Sequence, residues 1–460
     1  MDYSLTFRDQ DYDALCRHLF EGATTERGAY VLCKLSRTSV ETRLLARVVL
    51  DVASEDIVDS SKDHLSIHSR SYLRAMKMAV DREEAFVFVH SHPGGFPRHS
   101  EQDDAEEAAL FRTAYTRIHG DAIHGSLVLS APDRPVGRVW LADGSIHQMK
   151  RIRVVGSRFR IFQESLRDTL VASYLDRQVR AFGADIQRVL SHLTVGIVGS
   201  GGTGSAVFEQ LVRLGVGRLL VADPERFESS NVNRVYGSCL SDDGVSKVAI
   251  AERSAGRIGL GTCVTTIPKS ITFASVLKEF RNCDVVFGCT DDQWGRSLLT
   301  RLAVFYCIPV FDMGVQIDSE DGLIETVQGR VTTLFPSRAC LFCRQRISPD
   351  AVAAETLQAL NPSAAERLRQ EGYAPELATP APAVVPFTTA VAASAIAEFL
   401  HRLTGFLGGE RQTSEVVHLF SDTRVRTNDR PPSPECFCGQ PQYWGIGDMA
   451  PFLDVTWRPE

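Results

Sequence analysis

A glycine-rich turn at residues 199–204 constrains the fold of this chain more than any other feature. An apolar run at 193–198 precedes the turn and a helical pattern at 206–214 follows it, so the predicted order is strand, tight turn and helix. The glycines of the turn are Gly199, Gly201, Gly202 and Gly204. Because they lack a Cβ, the backbone can turn sharply and approach a nucleotide closely. The helix start adds unpaired N–H groups and a positive dipole end, which together predict a phosphate-binding loop.

The same turn also fits the fingerprint of nicotinamide-dependent dehydrogenases. The spacing Gly199-x-Gly201-x-x-Gly204 is shared by both classes of nucleotide-binding protein. In such folds an acidic residue about twenty positions further on holds the ribose, and Asp223 follows a second predicted strand at 218–222. The turn and Asp223 alone therefore leave an oxidoreductase and an ATP-dependent enzyme both open.

Length and charge limit the class of protein. The 460 residues, 44% of them hydrophobic, predict two or three domains. The 50 basic and 57 acidic residues give a formal net charge of −7 without a basic tract, so neither a nucleic acid nor a membrane surface is an expected partner. The chain opens without a secretory pattern and has no run of about eighteen apolar residues, so we expect a soluble, cytoplasmic protein.

Residues 1–153 predict a first domain of mixed α/β type. The predicted strands are 29–35, 47–52 and 85–90, and the predicted helices are 11–20, 69–80 and 101–113. His90 and His92 end the last strand, where extended backbone aims both imidazoles to one side, and Asp103 follows at the start of a helix. Two histidines and one carboxylate predict an open zinc site whose fourth position takes a water for a hydrolytic reaction.

The order of these residues is more specific than their types. The string His90-Ser-His92-Pro93-x6-Ser100-x-x-Asp103 resembles the signature of JAB/MPN-type metalloproteases, which cleave isopeptide and peptide bonds at ubiquitin-like modifiers. The resemblance implies that Ser100 helps to hold the oxyanion. Each residue taken singly is also typical of an ordinary strand or of a helix start.

The JAB/MPN family also needs a glutamate from an early part of the domain. Glu26 lies just before the predicted strand 29–35 and matches that position best, and Glu21 and Glu41 are alternatives. The resemblance implies that Glu26 is the general base of the peptidase.

Residues 154–192 predict a helical connection without a Gly/Ser-rich or proline-rich linker, with a helix expected at 167–182. From Tyr174 on, the chain resembles the ubiquitin-activating and ThiF/MoeB-type adenylyltransferases, whose domain would span 193–460. Residues 174–183 are similar to the helix that leads into that superfamily's nucleotide fold. The resemblance implies that Arg177 reaches across a homodimer to the nucleotide of the partner.

Further residues match the nucleotide site of the same superfamily. They are Asp223 for the ribose, Asn231 and Arg234 of an Asn-x-Asn-Arg block, Lys247 for the phosphates and Asp291 for magnesium. Attack of a carboxylate on the α-phosphate of ATP releases pyrophosphate, so the site must neutralise negative charge and exclude water from a labile acyl-adenylate. Arg234, Lys247 and magnesium on Asp291 would meet this need. A nicotinamide dehydrogenase needs neither two cations over a triphosphate nor a magnesium carboxylate.

Four cysteines occur in two close pairs. Cys340-x-x-Cys343 and Cys436-x-Cys438 predict a closed, tetrahedral, structural zinc site, although the second pair is one residue tighter than the family's usual Cys-x-x-Cys.

Residues 344–435 contain no cysteine, whereas conjugating members of the superfamily pass the modifier to a catalytic cysteine in this crossover segment. Three routes remain: direct transfer from the adenylate, a cysteine elsewhere, or a hydroxyl. The candidate hydroxyls are those of Thr379, Thr388 and Thr389. We expect direct transfer, because no histidine precedes His401 in this segment to activate a hydroxyl.

These patterns predict an α/β chain: a JAB-type domain, then a doubly wound, Rossmann-like adenylyltransferase domain with a four-cysteine zinc site. The predicted function is activation of a ubiquitin-like modifier with ATP and Mg²⁺, joined to processing or removal of that modifier at a catalytic Zn²⁺. A second Zn²⁺ would be structural. The expected partners are the modifier, a conjugating-enzyme-like protein and a second copy of the chain. Sulfur-carrier activation, a nicotinamide oxidoreductase and a scaffold with inactive sites are the alternatives.

Overall fold

A computed structural model describes residues 1–166, 169–370, 382–409 and 411–459 of the chain. It divides into two units, one comprising Met1–Ser165 with Trp444–Met449 and the other Leu166–Tyr443 with Ala450–Glu460. The domain boundaries expected after residues 153 and 192 stay a prediction.

The first unit is built on one large sheet. Its strands are β1 (Asp2–Arg8), β2 (Gly28–Arg37), β3 (Glu41–Asp51), β4 (Ile57–Ser60), β5 (Leu65–Ile67), β6 (Ala85–Ser91), β7 (His124–Leu129), β8 (Pro135–Trp140), β9 (Ile146–Gln148), β10 (Arg151–Val155) and β11 (Arg160–Phe162). Its helices are α1 (Asp9–Phe20), α2 (Ser69–Arg82) and α3 (Glu101–Arg117). Among the described residues nine strands pair in the order β11-β10-β1-β3-β2-β6-β7-β8-β9, and β4 and β5 pair separately.

Both faces of this sheet are covered by helices. On β2, Val31 points into a core that it shares with Leu15 of α1, whereas the next residue, Leu32, points into a second core with Met76 of α2 and Phe111 of α3. Successive strand residues face opposite sides, so an apolar run without alternation is what a strand covered on both faces requires. The sheet therefore lies between α1 on one side and α2 and α3 on the other.

The opening strand β1 is absent from the sequence-based expectation, which places the first strand at 29–35. β1 lies inside the sheet, parallel to both β10 and β3. Its apolar residues Tyr3, Leu5 and Phe7 alternate with Ser4 and Thr6, which is the period-two signal of a strand. The predicted helices and strands of this unit are confirmed, although β3 begins six residues before the predicted strand 47–52 and α3 ends four residues after the predicted helix. Strands β4, β5 and β7 to β11 were, like β1, not predicted.

The second unit contains the nucleotide-type fold. Its helices are α4 (Asp176–Phe182), α5 (Ala184–His192), α6 (Gly202–Arg213), α7 (Lys247–Ile258), α8 (Ala274–Glu279), α9 (Gln293–Phe305), α10 (Pro349–Leu360), α11 (Pro362–Gln370) and α12 (Val385–Thr404). Its strands are β12 (Thr194–Val198), β13 (Arg218–Ala222), β14 (Cys263–Ile267), β15 (Val285–Gly288), β16 (Val310–Glu320), β17 (Leu323–Leu334), β18 (Glu415–Leu419) and β19 (Arg424–Asn428).

The sheet of the second unit has the strand order of a doubly wound fold. In the described chain the order is β14-β13-β12-β15-β16-β17-β18-β19, and the first five strands run parallel. The parallel part has the order 3-2-1-4-5, in which ligands bind where the order reverses, at the carboxyl ends of the first and fourth strands. Here those strands are β12 and β15. The predicted α/β, Rossmann-like fold class is confirmed.

The predicted helix at 167–182 is wrong over its first half. Residues Ser173–Leu175 form a single 3₁₀ turn and α4 begins only at Asp176, while residues 167 and 168 lie outside the described part of the chain. Thr169 and Val171 are β-branched residues, which lose side-chain freedom in a helix. No helix among the described residues has the length and apolar character needed to cross a bilayer.

A short segment near the C terminus completes the first unit. The Arg8 guanidinium lies 4.5 Å from the ring centre of Trp444, and the Asp448 carboxylate accepts a 2.6 Å hydrogen bond from the Arg37 amide. Between them, Gly447 has a φ of +67°, and a Cβ added there would overlap the carbonyl oxygen of Leu35. The segment therefore needs glycine at 447 to reach the end of β2.

We expect Gly447→Ala to destabilise the first unit by at least about 1–2 kcal/mol, the cost of a left-handed backbone at a residue with a Cβ. Its calorimetric melting temperature should fall by at least about 3 °C. Gly144→Ala is the matched control, because Gly144 also has a positive φ, +84°, but nothing within 4 Å of the added Cβ. Equal losses in the two variants would contradict a packing role for this segment.

Candidate functional site

The two histidines and Glu26 are brought together by the pairing of β2 with β6. Gly28 pairs with His90 across the two strands. Ser91 points away from its neighbouring histidines and ties the backbone of Arg27 by two hydrogen bonds, Arg27 amide to Ser91 Oγ at 3.1 Å and Ser91 amide to Arg27 carbonyl at 3.0 Å. The residue before Arg27, Glu26, is thereby held beside the two imidazoles.

The geometry of the cluster suits a small divalent metal ion. His90 Nε2 and His92 Nε2 lie 3.1 Å apart, and Asp103 oxygens lie 3.1 Å from the first and 3.5 Å from the second. A tetrahedral zinc with ligand distances of about 2.1 Å separates neighbouring ligand atoms by about 3.4 Å. Glu26 Oε1 lies 3.6 Å from His92 Nε2 and is buried. The cluster therefore fits zinc with three ligands and one adjacent carboxylate.

Hydrogen bonds already orient one of the histidines. His92 Nδ1 lies 3.1 Å from the carbonyl oxygen of Phe96, which can only accept, so Nδ1 carries the proton and Nε2 is left free as a ligand. Burial favours the neutral form of Asp103, but its close contacts with His90 and His92 hold its pKa well below the usual range. Burial raises the pKa of Glu26.

The other two candidate glutamates lie in different surroundings. Glu41 forms ion pairs with Arg43 at 2.9 Å and with Arg153 at 3.0 Å, and Glu21 is exposed at the end of α1. Glu26 is the glutamate that the described structure brings to the histidines.

Ser100 has a structural role that was not among those predicted for it. It is the N-cap residue of α3, and its side-chain oxygen accepts a hydrogen bond from the Asp103 amide while its hydroxyl donates to Asp103 Oδ2 at 2.8 Å. This capping box fixes the start of α3 and the direction of the Asp103 carboxylate. The expected role of Ser100 toward an oxyanion stays a prediction.

A buried charged network lies behind the histidines, and sequence reasoning missed it. Glu107 Oε2 accepts hydrogen bonds from Ser126 Oγ at 2.6 Å, from Arg138 Nε at 3.0 Å and Nη2 at 2.8 Å, and from Trp140 Nε1 at 2.9 Å. His99 Nε2 lies 3.1 Å from Ser126 Oγ. Burial, assisted by Arg138, lowers the pKa of His99 to about 2, so this imidazole is neutral. Burial raises the pKa of Glu107, and Arg138 opposes that rise.

In the second unit the glycine turn lies at the carboxyl ends of β12 and β15. A Cβ at Gly204 would overlap the carbonyl oxygen of Gly199, and a Cβ at Gly199 would lie 2.7 Å from the Cys289 carbonyl oxygen. Gly199 also has a φ of +90°. These two glycines let the turn close on itself and against the end of β15. Asp291 comes shortly after that end and is exposed.

The predicted phosphate and ribose residues lie around this turn. Arg234 passes over it, with its Cδ 3.3 Å from the position of a Cβ on Gly202. The buried Asp223 carboxylate accepts hydrogen bonds from the Ser200 amide at 2.5 Å and the Glu225 amide at 2.8 Å. Burial raises the pKa of Asp223. The turn is thereby tied to the end of β13.

Lys247 and Asn231 complete this side of the site. Lys247 is buried at the first position of α7 and pairs with the Glu225 carboxylate. The Asn231 side chain accepts a hydrogen bond of 3.3 Å from the Glu228 amide, which stabilises the loop that carries Arg234. A ribose carboxylate, two cations and a glycine turn in one place fit a nucleoside triphosphate.

Two further carboxylates near Asp291 escaped sequence reasoning. The Asp292 carboxylate caps α9 by accepting from the Gly295 amide, and Glu355 of α10 accepts from the Trp294 amide at 2.8 Å. Asp292 therefore serves as the cap of α9. The neighbouring Asp291 is exposed, and its carboxylate is available to a magnesium ion. An Asp-Asp pair in a sequence does not reveal which of the two is the cap.

Arg177 lies far from the glycine turn of its own chain. Gln178, the next residue of α4, donates a 2.7 Å hydrogen bond to the carbonyl of Arg213, the last residue of α6. Gly202 begins that helix, whose 12 residues span about 18 Å. Arg177 is exposed. The structure thus does not bring Arg177 to the other predicted nucleotide residues.

The four cysteines of the two pairs meet in one cluster. Cys340 Sγ lies 3.5 Å from Cys436 Sγ and 3.8 Å from Cys343 Sγ, and Cys343 Sγ lies 3.5 Å from Cys438 Sγ. Tetrahedral zinc with Zn–S distances of about 2.3 Å gives edges of about 3.8 Å. The tighter Cys436-x-Cys438 pair therefore still presents four thiolates with the spacing of a structural zinc site.

The hydroxyl candidates lie near the turn but are engaged. Thr388 is buried, lies 3.4 Å from the Cβ position of Gly202 and donates to the carbonyl of Val385 at 3.1 Å. Thr389 Oγ1 forms a 2.9 Å hydrogen bond with Tyr236. Thr379 lies outside the described residues.

Comparison with known families accounts for most of the chain. The sequence model of the ThiF family matches residues 175–439, more than half of the chain. The model of prokaryotic homologs of the JAB domain matches residues 9–140.

Individual relatives match over about a third of the chain. They include the SAMP-activating enzyme E1 of Haloferax volcanii (29% identity over 38% of this chain and 63% of the relative), the sulfur carrier protein adenylyltransferase of Thermus thermophilus (30%, 35% and 59%) and the ubiquitin-like modifier-activating enzyme 5 of Drosophila persimilis (28%, 36% and 43%). Each match spans less than two thirds of the relative's own length.

The glycine turn gives a test of nucleotide binding that needs no other protein. At Gly201, φ is −75° and an added Cβ would have nothing within 4 Å, so Gly201→Ala should keep the wild-type melting temperature. We expect its ATP affinity, measured by calorimetry, to fall at least about tenfold, or about 1.4 kcal/mol, because the Cβ would occupy the cradle. Gly204→Ala should lower both quantities.

Gly256→Ala is the control for these variants, since an added Cβ on that α7 residue also meets nothing within 4 Å. Wild-type ATP affinity in Gly201→Ala would show that the phosphates do not approach the turn.

Proposed function

Because the chain belongs to the ThiF family and carries a JAB-type domain at its N terminus, we propose that it serves a ubiquitin-like modifier in two ways. The second unit activates the C-terminal carboxylate of the modifier with ATP and Mg²⁺. The first unit hydrolyses the bond that follows the same C terminus, in a precursor or in a conjugate. A single protein can be the substrate of both a peptidase and an adenylating domain if both domains recognise its C-terminal tail.

One observation supports the proposed adenylation activity. The basic and acidic side chains expected to bind ATP lie around the glycine turn, where the strand order reverses between β12 and β15. Arg234 and Lys247 would neutralise the triphosphate, and Asp223 would hold the ribose. Asp291, shortly after the end of β15, would hold magnesium, which would neutralise part of the negative charge of the phosphates. These groups stabilise the pyrophosphate that leaves when the modifier carboxylate attacks the α-phosphate.

The peptidase half follows from the cluster at the end of β6. Zinc there would supply a Lewis acid and lower the pKa of a bound water. His90, His92 and Asp103 would be its protein ligands. Glu26, whose pKa burial raises, would take a proton from the attacking water and deliver it to the leaving amine.

The remote position of Arg177 supports a homodimer. An arginine side chain reaches several ångströms, much less than the roughly 18 Å length of α6 that separates the docking point of α4 from the turn. An arginine that acts on the nucleotide must then come from the other subunit. In a twofold dimer each subunit would donate Arg177 to its partner.

The experiment that tests this function directly is capture of the modifier followed by ATP–pyrophosphate exchange. Immobilised Glu26→Gln protein should retain a small protein without cleaving it. That protein should then drive exchange of labelled pyrophosphate into ATP by the wild-type chain. Exchange that does not depend on the captured protein would contradict the proposal.

We expect Asp291→Asn to reduce modifier-dependent pyrophosphate exchange at least about 100-fold, because it removes the magnesium carboxylate beside the triphosphate. Asp185→Asn, at an exposed aspartate of α5, is the charge-matched control. Unchanged exchange by Asp291→Asn would overturn the magnesium assignment.

Mixing Asp291→Asn with Arg177→Ala tests the homodimer. Randomly mixed dimers should regain up to about a quarter of wild-type exchange, since half are heterodimers with one intact site each. Mixing without any recovery would place the arginine in the same chain or outside the reaction.

On the peptidase side, Glu26→Gln should keep two zinc ions per chain and lose cleavage by about 10²–10⁴-fold, because only the base is removed. His92→Ala should lose one zinc ion together with cleavage. Glu21→Gln, a nearby exposed glutamate, is the control and should behave as wild type. The zinc content of each variant is measured by elemental mass spectrometry. If Glu26→Gln cleaves at the wild-type rate, the general base is another residue.

Sulfur-carrier activation is the second candidate function, favoured by the 30% identity to the Thermus thermophilus sulfur carrier protein adenylyltransferase. The adenylation chemistry would be the same, and the acceptor would be a sulfur donor. A thiocarboxylate on the captured protein, detected by mass, distinguishes this product from a conjugate.

A further inference from the structure

The two histidines of the proposed zinc site differ in how their second ring nitrogens are held. His92 Nδ1 donates to the Phe96 carbonyl, whereas His90 Nδ1 is buried and has no hydrogen-bond partner among the described residues. A histidine that binds a metal through one nitrogen normally donates its other N–H to a fixed acceptor, which sets the tautomer and the direction of the ring. His90 therefore needs an acceptor.

Glu107 has the matching free atom. Its Oε2 takes all four hydrogen bonds from Ser126, Arg138 and Trp140, while its Oε1 is buried without a hydrogen-bond partner in the described part of the chain. A buried, unpaired donor or acceptor costs about 1–3 kcal/mol, so two such atoms in one cluster gain by meeting.

The backbone places the two groups on facing surfaces. Asp103 and Glu107 are four residues apart on α3, so both carboxylates lie on the same face of the helix. Asp103 contacts His90 through Nε2 at 3.1 Å. His90 Nδ1 and Glu107 Oε1 do not hydrogen-bond to each other in the described structure, but His90 is close enough to Glu107 to act electrostatically on its carboxylate. Phe88 and His90 share a sheet face with Ser126 and Arg138, because Phe88 pairs with Ser126 and Ser126 with Arg138.

His99 does not compete for the free oxygen. It lies beside His90, with ring centres 6.4 Å apart, and its Nε2 is 3.9 Å from Glu107 Oε1 but only 3.1 Å from Ser126 Oγ. The Ser126 hydroxyl donates its proton to Glu107 Oε2, so it accepts from the single N–H of a neutral His99. Oε1 of Glu107 is left as the acceptor on the side of His90.

We propose that Glu107 is a positioning residue of the metal site: when His90 binds zinc through Nε2, the Oε1 of Glu107, which has no partner in this structure, accepts the Nδ1 proton of His90 and so holds Nε2 toward the zinc. Arg138 opposes the rise that burial causes in the pKa of Glu107, and its two hydrogen bonds lock Oε2 in place. This inference rests on the proposed zinc site. It assigns to Glu107 the selection of the His90 tautomer that binds zinc through Nε2. No proton is transferred to Glu107 in this role.

Glu107→Gln reverses the hydrogen bond without changing the size of the side chain. The amide oxygen must face Ser126, Arg138 and Trp140, which are all donors, so the NH₂ group faces His90. His90 Nδ1 then has to accept, and the proton moves to Nε2, where it blocks the metal. We expect the dissociation constant for Zn²⁺, measured by chelator competition, to rise at least about tenfold.

The control is Glu106→Gln, the same change of charge one residue earlier on α3, at an exposed position. It should bind Zn²⁺ as wild type. The four-cysteine cluster is an internal control, because neither substitution affects it and it should bind zinc in both variants. Glu107→Gln should therefore hold one tightly bound zinc ion, and Glu106→Gln should hold two. ¹⁵N spectra of selectively labelled histidines should show His90 protonated at Nδ1 in wild type and at Nε2 in Glu107→Gln.

The outcomes separate the two proposals. If wild type binds one zinc ion only, the proposed peptidase site is wrong and the role of Glu107 falls with it. If wild type binds two and Glu107→Gln binds as tightly as Glu106→Gln, Glu107 does not position His90. Should Glu107→Gln fail to fold because Arg138 loses its counter-charge, the double variant Glu107→Gln/Arg138→Met removes both charges and must show the same loss of zinc affinity.

Discussion

Strands β12 and β15 lie side by side and parallel, and the arrangement of the second unit at its ligand edge depends on this pairing. It brings the turn after one strand against the residues after the other, so close that Gly199 and Gly204 have no room for a Cβ. Asp291 follows the end of β15, and Arg234 crosses the turn from the loop beyond β13. The proposed nucleotide site lies here because loops from distant parts of the sequence end at one edge of one sheet.

In the first unit, too, strand pairing brings residues from distant parts of the sequence together. The antiparallel contact of β2 with β6 sets Glu26 beside His90 and His92, and the capping box of α3 points Asp103 at them. The proposed zinc ligands lie on a strand and at a helix start that backbone hydrogen bonds fix in place. Such fixed elements hold a catalytic group more closely than a mobile loop would. The proposed chemistry of both units meets in one substrate feature, the carboxyl end of a modifier tail.

The fold class was predicted correctly, because it follows from the order of strands and helices. The glycine turn, the His-x-His pair and the cysteine pairs are set by spacings of a few residues, and the structure brings the members of the histidine and cysteine groups together, while their roles stay predictions. The prediction failed over the first half of 167–182, where the β-branched residues Thr169 and Val171 disfavour a helix, and at β1, whose period-two alternation of apolar residues predicts a strand that was not assigned. The cap role of Ser100 was readable from Ser-x-x-Asp before a helix, and was also missed.

The network around Glu107 could not be read from the sequence. Its partners, Ser126, Arg138 and Trp140, are 19 to 33 residues away along the chain and meet Glu107 only because β7 and β8 pair beneath α3. The same holds for Arg177, whose distance from the turn appears only once α4 is docked at the far end of α6. Long-range contacts of single charged residues leave no periodic signal in a sequence.

If both units act on the same carboxyl end, the first must expose the carboxylate that the second activates. Both steps can be followed together in one mixture that contains Mg-ATP and the captured modifier carrying a short peptide extension, by measuring cleavage and pyrophosphate release. Wild type should release pyrophosphate only after the extension is removed, and Glu26→Gln should release none until trimmed modifier is supplied. Cleavage that leaves a modifier unable to support pyrophosphate release, or release from the uncut protein, would contradict this prediction.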